Sequence, residues 1–477
     1  MVERLFRLKE NGTTVRTEIL AGLTTFMTMA YIIALNPNLI ADAKNGASHE
    51  LWNAVFIATV LSAAVGTFLM AFLANKPFAL APGMGLNSYF ATVVVSIMGT
   101  AKLSSYDEAF QGALSIILIS GVLFTTLTLF KIREKIVDAI PVGIRYGITA
   151  GIGLMLIHIG MTTNAAVYYG PNGENMTMLG FFTIGAKDSL TMLGQDSYNL
   201  LMLYIITFFI GLFTIIILSH KNVKGSILFG MVGASVVYFI GTAILGSNPF
   251  ETLKTASWLP NFGDMAEKTL FKFNFGLLFK MGFLSAVMTV ITFCMVDMFD
   301  TIGTLLGTAS KADMIDHETG RMPQMNQAML SDSLATLTGA CTGTSTVTTF
   351  IESASGVEEG GRTGLASVIT GACFLACLFL SPIARLIPAP ATSAALVFVG
   401  ILMISSLKNV DYSDFSQSVS IVLMIVFMMI TGGIGNGIGI GLIAYTIIKL
   451  FTGNRKDISL LTIILALLFL GKFFLPF

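Results

Sequence analysis

Three carboxylates stand where an apolar chain offers them little water. Asp297 and Asp300 fall inside LSAVMTVITFCMVDMFDTIGTLLGTAS, and Glu352 falls inside CTGTSTVTTFIESASGVEEGGRTG. An ionisable residue at membrane depth is costly, and by default it marks a functional site. A carboxylate there can accept N–H groups from a polar cargo, and one acid of a close pair can take up and release a proton. Asp297 and Asp300 are three residues apart and share a helix face. Thr301, Gly303 and Thr304 keep the surface beside Asp300 small and polar, as a cavity wall would be. Asp300 is therefore placed to touch a cargo, and Asp297 to hold Asp300 or a neighbouring strand. Each acid has a structural alternative: bonding a neighbouring helix or backbone N–H, or, for Glu352, capping a helix start. Asn87, in the Gly-rich KPFALAPGMGLNSYF, is a fourth candidate, with a helix cap as its plainer role.

The stretch around Glu352 also carries Thr342, Thr344, Ser345, Thr346, Thr348 and Thr349. Such a run sits at membrane depth only where protein or a water-filled cavity surrounds it. Its hydroxyls point to a wet site. The β-branched and aromatic residues Thr346–Phe350 predict an extended strand, and Ser353–Gly356 the start of a half-helix with free backbone N–H groups. Broken helices of this kind mark binding sites in transporters.

The chain that must position these residues has 477 of them, 54% hydrophobic and 11% charged. A soluble domain carries about a quarter charged residues, so this is a polytopic all-α membrane protein. Formal net charge is zero, which gives no basic surface for nucleic acid. The charged N-terminus, MVERLFRLKENGTTVRTE, does not read as a cleaved signal peptide. Cys294, Cys341, Cys373 and Cys377 lie in apolar segments without a His or carboxylate cluster, so they read as reduced packing residues and not as metal ligands. No Ser–His–Asp set or nucleotide fingerprint appears, which makes an enzyme the weaker class. His158 reads as a packed or interfacial histidine, and GGIGNGIGIG (432–441) as a close-packing helix and not a phosphate loop. Glu358, Glu359 and Arg362 read as solvated or paired at a segment end.

Apolar runs near 17–40, 53–74, 80–99, 108–131, 138–162, 197–219 and 224–246 are followed by runs near 280–307, 325–342, 346–361, 363–383, 389–407, 415–432 and 434–452. These are fourteen membrane segments in two sets of seven. An additional run, 457–475, either spans or lies against the bundle. Segments three and ten are the broken ones, at matching positions. Seven is odd, so the second set runs inverted, and interrupted segments in inverted halves point to a midplane site. With the N-terminus cytoplasmic, 18 Lys and Arg fall in cytoplasmic loops and 8 in external ones, which follows the positive-inside rule. The crossing is expected to set Leu80–Pro82 beside Val347–Phe350.

Four motifs, AGLTTFMTMAYI, ALAPGMGLNSYF, VDMFDTIGTLLG and GTSTVTTFIESASGVEEGGRTGL, resemble those of the azaguanine-type purine permeases (hypoxanthine, guanine and adenine permeases) of the nucleobase:cation symporter-2 group, over nearly the whole chain. The resemblance implies a 7+7 inverted-repeat fold. A core domain would comprise 1–131 and 280–383, a gate domain 132–250 and 384–452, with 453–477 outside the pattern. It also implies a substrate site of Glu352, Asp300, Asn87, Phe350 and Thr304. Relatives that carry uracil or xanthine often have Glu in segment eight; Asp300 and Thr304 are shorter and leave room for a different ring.

A purine is flat and edged with N–H donors and ring acceptors. A carboxylate can take two adjacent N–H groups bidentately, half-helix N–H groups can donate to a carbonyl, and Phe350 can stack on the ring. The expected protein imports guanine and hypoxanthine with a proton, coupled through Asp300 and Asp297, across the cell membrane. Adenine as cargo or sodium as coupling ion are the alternatives within the class, and a channel or anion exchanger of the same fold lies outside it. The expected partners are the purine, the proton and the lipid bilayer, with no cofactor and no nucleic acid; a homodimer is among the assemblies open to such a chain.

Overall fold

Pro77 and Pro82 keep segment three from entering as a helix, because proline lacks the N–H and forces the preceding residue toward extended backbone. The structure, a computed structural model, describes residues 2–42, 45–132, 140–161, 195–250, 253, 257–311, 314, 322–431, 433–452 and 458–474. In it segment three is strand β1, Leu80–Pro82, followed by helix α4, Met84–Thr100. Segment ten is strand β2, Val347–Thr349, followed by the short helix α11, Ser353–Glu358. The strands pair antiparallel, Leu80 opposite Thr349 and Pro82 opposite Val347. The expected crossing is therefore present.

The first half otherwise runs α1 (Val15–Met29), α2 (Ile32–Ile40), α3 (His49–Leu69), α5 (Tyr106–Leu129), α6 (Val142–Ile159), α7 (Gln195–His220) and α8 (Ser226–Ile244). The second runs α9 (Phe283–Lys311), α10 (Met325–Thr342), α12 (Gly364–Ala376), α13 (Ala389–Ile404), α14 (Phe415–Thr431) and α15 (Ile434–Phe451). Segment one is α1 and α2 joined at Ala30–Tyr31, a break that the sequence reading did not expect. Among the described residues ten helical spans are long and apolar enough to cross a membrane, and α4 and α14 are shorter apolar helices. Helix α10 is too polar for lipid, and Ser331, Asp332, Ser333 and Thr336 on it have no exposed surface. It is enclosed by α3, α5 and the strands.

Helices α1–α5 pack mainly with α9–α12, and α6–α8 mainly with α13–α15. The additional run forms α16, Leu460–Phe474, laid against α15 with the Phe469 ring over Gly439. Its fifteen residues are about 22 Å long, less than a hydrocarbon core. Of the basic residues used for orientation, Lys44, Arg133, Lys135, Lys187, Lys254, Arg321, Arg455 and Lys456 lie outside the described residues, as does Gly432 of the glycine-rich helix.

Two carboxylate-bearing contacts fix the end of segment ten. Buried Glu18 on α1 accepts the backbone N–H groups of Arg362 (2.8 Å), Thr363 (3.3 Å) and Ala366 (3.1 Å), which caps α12. At the cytoplasmic loop of the expected topology, Lys224 lies 3.7 Å from Glu358 and 3.2 Å from Glu359.

Gly356 lets α11 meet α1 at backbone distance. A Cβ there would lie 2.5 Å from the Ala21 carbonyl oxygen and would run into the Thr25 hydroxyl. Overpacking of this kind costs about 1–3 kcal/mol. The variant Gly356→Ala is expected to lower the thermal midpoint of the purified protein, whereas an unchanged midpoint would show that the two helices can part freely.

Candidate functional site

Seven hydrogen bonds beyond the three-residue ladder lock the crossing. The Gly83 N–H donates to the Thr346 carbonyl (3.1 Å), and the Phe350 N–H to the Ala79 carbonyl (3.0 Å). The Ser353 hydroxyl accepts the Ala79 N–H (2.9 Å). Thr67 on α3 both accepts the Leu80 N–H (3.0 Å) and donates to its carbonyl (3.1 Å). The Ser345 hydroxyl donates to Asn87 Oδ1, while Asn87 Nδ2 donates to the Pro82 carbonyl (3.3 Å). Asn87 is thus fully buried, with both ends of its amide bonded to the crossing.

A buried carboxylate that the sequence reading passed over grips strand β2. Asp332 on α10 has no exposed surface. Its Oδ1 accepts the Thr349 N–H (2.9 Å) and hydroxyl (3.0 Å), and its Oδ2 accepts the Thr301 hydroxyl (2.5 Å). Thr301 Oγ1 is also 3.0 Å from Thr348 Oγ1, so α9, α10 and β2 meet at one knot. Asp297, one turn earlier on α9, accepts the Thr336 hydroxyl (3.0 Å), which also lies 3.1 Å from the Val347 carbonyl. It reaches the strand through Thr336.

Asp300 and Glu352 occupy a different environment. Both are half-buried, unlike Asp297 and Asp332. Asp300 Oδ2 lies 3.9 Å from the position of a Cβ on Gly83, immediately before α4, and Asp332 and Glu352 lie within electrostatic reach of it. Beyond it on the same helix Gly303 is exposed, and a Cβ at Gly303 or Gly307 would meet nothing within 4 Å. That face of α9 opens onto space. The Thr304 hydroxyl turns back to the carbonyls of Asp300 (2.9 Å) and Thr301 (3.0 Å). Glu352 stands immediately before α11, and its Oε1 accepts the Tyr31 hydroxyl (2.7 Å) from the break in segment one. Phe350 is 6% exposed and packs into the main apolar core.

The structure thus brings Asp300 beside the start of α4 and Glu352 to the start of α11. The sequence reading expected free N–H groups at Ser353–Gly356, but those of Ser353, Ala354 and Ser355 are taken by the carbonyls of Phe350, Ile351 and Glu352, so the start of α4 is the one left to offer backbone donors. The structure corrects a second expectation. Thr344, Ser345, Thr346, Thr348 and Thr349 are at most 1% exposed, and the hydroxyls of Thr344, Ser345, Thr348 and Thr349 bond Asn36, Asn87, Thr301 and Asp332, so these residues pack as a bonded layer and do not line an open cavity. The missed residues are Asp332 and Tyr31. Asp332 carried the same signal as Asp297, an acid inside a membrane segment; Tyr31 carried none beyond its place in the motif AGLTTFMTMAYI of segment one. A separate cavity of 240 Å³ lies at the ends of α3 and the 381–386 turn, lined by His49, Asn53, Asp264 and Arg385 among others, and by neither Asp300 nor Glu352.

Residues 16–440 match the xanthine/uracil permease model, described as the Permease family. The chain belongs to that family. It is a multi-pass membrane permease. It is 37% identical to the adenine permease AdeP of Escherichia coli (strain K12), over 99% of this chain and 96% of that one. It is 35% identical to the guanine/hypoxanthine permease PbuO of Bacillus subtilis (strain 168), over 99% of this chain and 100% of that one. Among solved structures, the transmembrane domain of the cyanobacterial bicarbonate transporter BicA superimposes with a TM-score of 0.58 at 16% identity, covering 90% of this chain and 97% of that one. This last likeness shows the 7+7 inverted-repeat fold alone.

Asp332 makes a prediction about the permease scaffold. Asp332→Ala leaves the Thr349 N–H and hydroxyl short of an acceptor, each costing about 1–3 kcal/mol, while the Thr301 hydroxyl keeps the Asp297 carbonyl (2.8 Å). Asp332→Asn keeps one acceptor oxygen for Thr349. The alanine variant is expected to reach the membrane in much smaller amount and melt earlier than the asparagine variant. Equal abundance and melting of alanine variant and parent would contradict the clamp.

Proposed function

We propose that this permease imports purine nucleobases across the cell membrane together with a proton, with the N-terminus cytoplasmic and with guanine and hypoxanthine as cargo. The observation that carries the reading is the meeting of Asp300 and Glu352 at the starts of two half-helices. Guanine and hypoxanthine share a ring N–H next to a carbonyl. Glu352 accepts that N–H, and backbone N–H groups at the start of α4 donate to the carbonyl. Full-length relatives named for adenine and for guanine and hypoxanthine support a nucleobase. Two acids at the broken helices fit an anion exchanger poorly.

The roles follow from the geometry. Glu352 and Asp300 bind the base, Phe350 supplies an apolar wall, and Thr304 bounds the space past Asp300. Asn87 serves the site by fixing Pro82 and Ser345. Asp300 carries the coupling proton, and Asp297 holds the strand that faces it. The parts 1–131 and 280–383 act as the core that carries the cargo, and 132–250 and 384–452 as the gate against which it moves; the two packing sets of helices support this division. Adenine is the second reading, because the adenine permease is as similar as the guanine/hypoxanthine one.

Uptake of labelled guanine, hypoxanthine and adenine in cells lacking their own purine carriers tests the reading. Accumulation is expected to follow an imposed pH gradient without sodium, and Glu352→Gln is expected to weaken apparent affinity roughly ten- to a hundredfold, since a charged acceptor contributes about 1.5–3 kcal/mol. Accumulation that ignores the pH gradient and follows sodium would refute the proton, and unchanged affinity in Glu352→Gln would remove the acid from the site.

A further inference from the structure

Glu352 does not meet its cargo with two free oxygens. Tyr31 stands at the Ala30–Tyr31 break, directly before α2, and is 1% exposed. Its hydroxyl donates to Glu352 Oε1 at 2.7 Å, while Thr28, three residues earlier, donates to the Glu352 carbonyl at 3.4 Å. Segment one therefore fixes both the backbone and the carboxylate of this residue. Among the described residues no other residue donates a hydrogen bond to this carboxylate, and Glu352 keeps part of its surface exposed, so Oε2 is not held by a neighbour.

We infer that Tyr31 is a specificity-determining residue: by donating to Oε1 it takes up acceptor capacity that would otherwise grip a second purine N–H, so that the site gains most from a single N–H presented to Oε2 and less from a second one beside it. The inference rests on the nucleobase reading of the site. It replaces the bidentate grip that a free carboxylate would offer. Guanine and hypoxanthine separate the two cases cleanly, because they differ by the 2-amino group next to the ring N1–H. A bidentate carboxylate takes both N–H groups of guanine and only one of hypoxanthine. A carboxylate whose Oε1 is shared with Tyr31 grips the second N–H of guanine weakly, so wild-type discrimination by this acid is small.

The tyrosine is buried and its removal leaves no donor on Oε1, so Tyr31→Phe frees that oxygen with almost no change of shape. Uptake competition and binding to the purified variant, with guanine and hypoxanthine as probes, read the outcome. Guanine is expected to gain on hypoxanthine about tenfold in apparent affinity, the scale of one hydrogen bond to a charged acceptor. In a Glu352→Gln background the same tyrosine change is expected to leave that ratio unmoved, since the effect passes through the carboxylate. A parallel fall for both bases in Tyr31→Phe would make Tyr31 a packing residue and overturn the inference. So would an unchanged ratio with both affinities intact. Should Tyr31→Phe fail to fold, binding of guanine against hypoxanthine to the purified wild type gives the same reading: near-equal affinity supports the held oxygen, and a strong preference for guanine overturns it. Failure of the nucleobase reading itself is distinct, because the wild type would then bind and carry neither base.

Discussion

Backbone N–H and C=O groups at membrane depth have no water to bond, and a broken helix exposes several of them at once. The antiparallel pairing of Leu80–Pro82 with Val347–Thr349 answers that constraint, since each broken segment supplies the partners that the other lacks. Three residues of ladder are too few to stand alone. They hold because side chains from four helices finish the bonding: Thr67 from α3, Asn87 from α4, Thr301 from α9, and Thr336 and Asp332 from α10. Breaking the helices is what brings the starts of α4 and α11 to the middle of the protein, and the crossing is what lets them stay there.

This arrangement separates two kinds of acid. Asp297 and Asp332 face inward: Asp297 Oδ2 takes the Thr336 hydroxyl, and both oxygens of Asp332 take donors from Thr301 and Thr349. Asp300 and Glu352 sit at the half-helix starts and keep exposed surface. The scaffold acids hold the geometry, and the half-buried ones are available to a cargo. Glu352 is further fixed by the break in segment one, which couples the orientation of a binding group to a third interrupted segment.

Much of this was legible in the residues. Pro77 and Pro82 forbid a continuous helix, β-branched Thr346–Thr349 favour strand, and their matching places in two sets of seven segments predict a crossing. The acids of α9 stood out because apolar residues surround them. Asp332 escaped notice although its segment, 325–342, reads as a membrane span; Ser331 and Ser333 on either side soften its contrast with apolar neighbours, yet an acid at that depth needs donors wherever it lies. The hydroxyl run misled for a physical reason: threonines that line water and threonines that bond a buried strand have the same composition. Which oxygen of Glu352 is held could not be read from sequence at all, since Tyr31 and Glu352 are 321 residues apart.

The central claim is that the crossing exists to present Asp300 and Glu352 to a purine. Its most direct measurement is a structure of the protein in a lipid nanodisc with guanine or hypoxanthine bound. The account predicts the base between the starts of α4 and α11, with a ring N–H about 3 Å from Glu352 Oε2 and Asp300 beside it. A base seated elsewhere, as in the cavity under Arg385, with both acids away from it, would contradict the account.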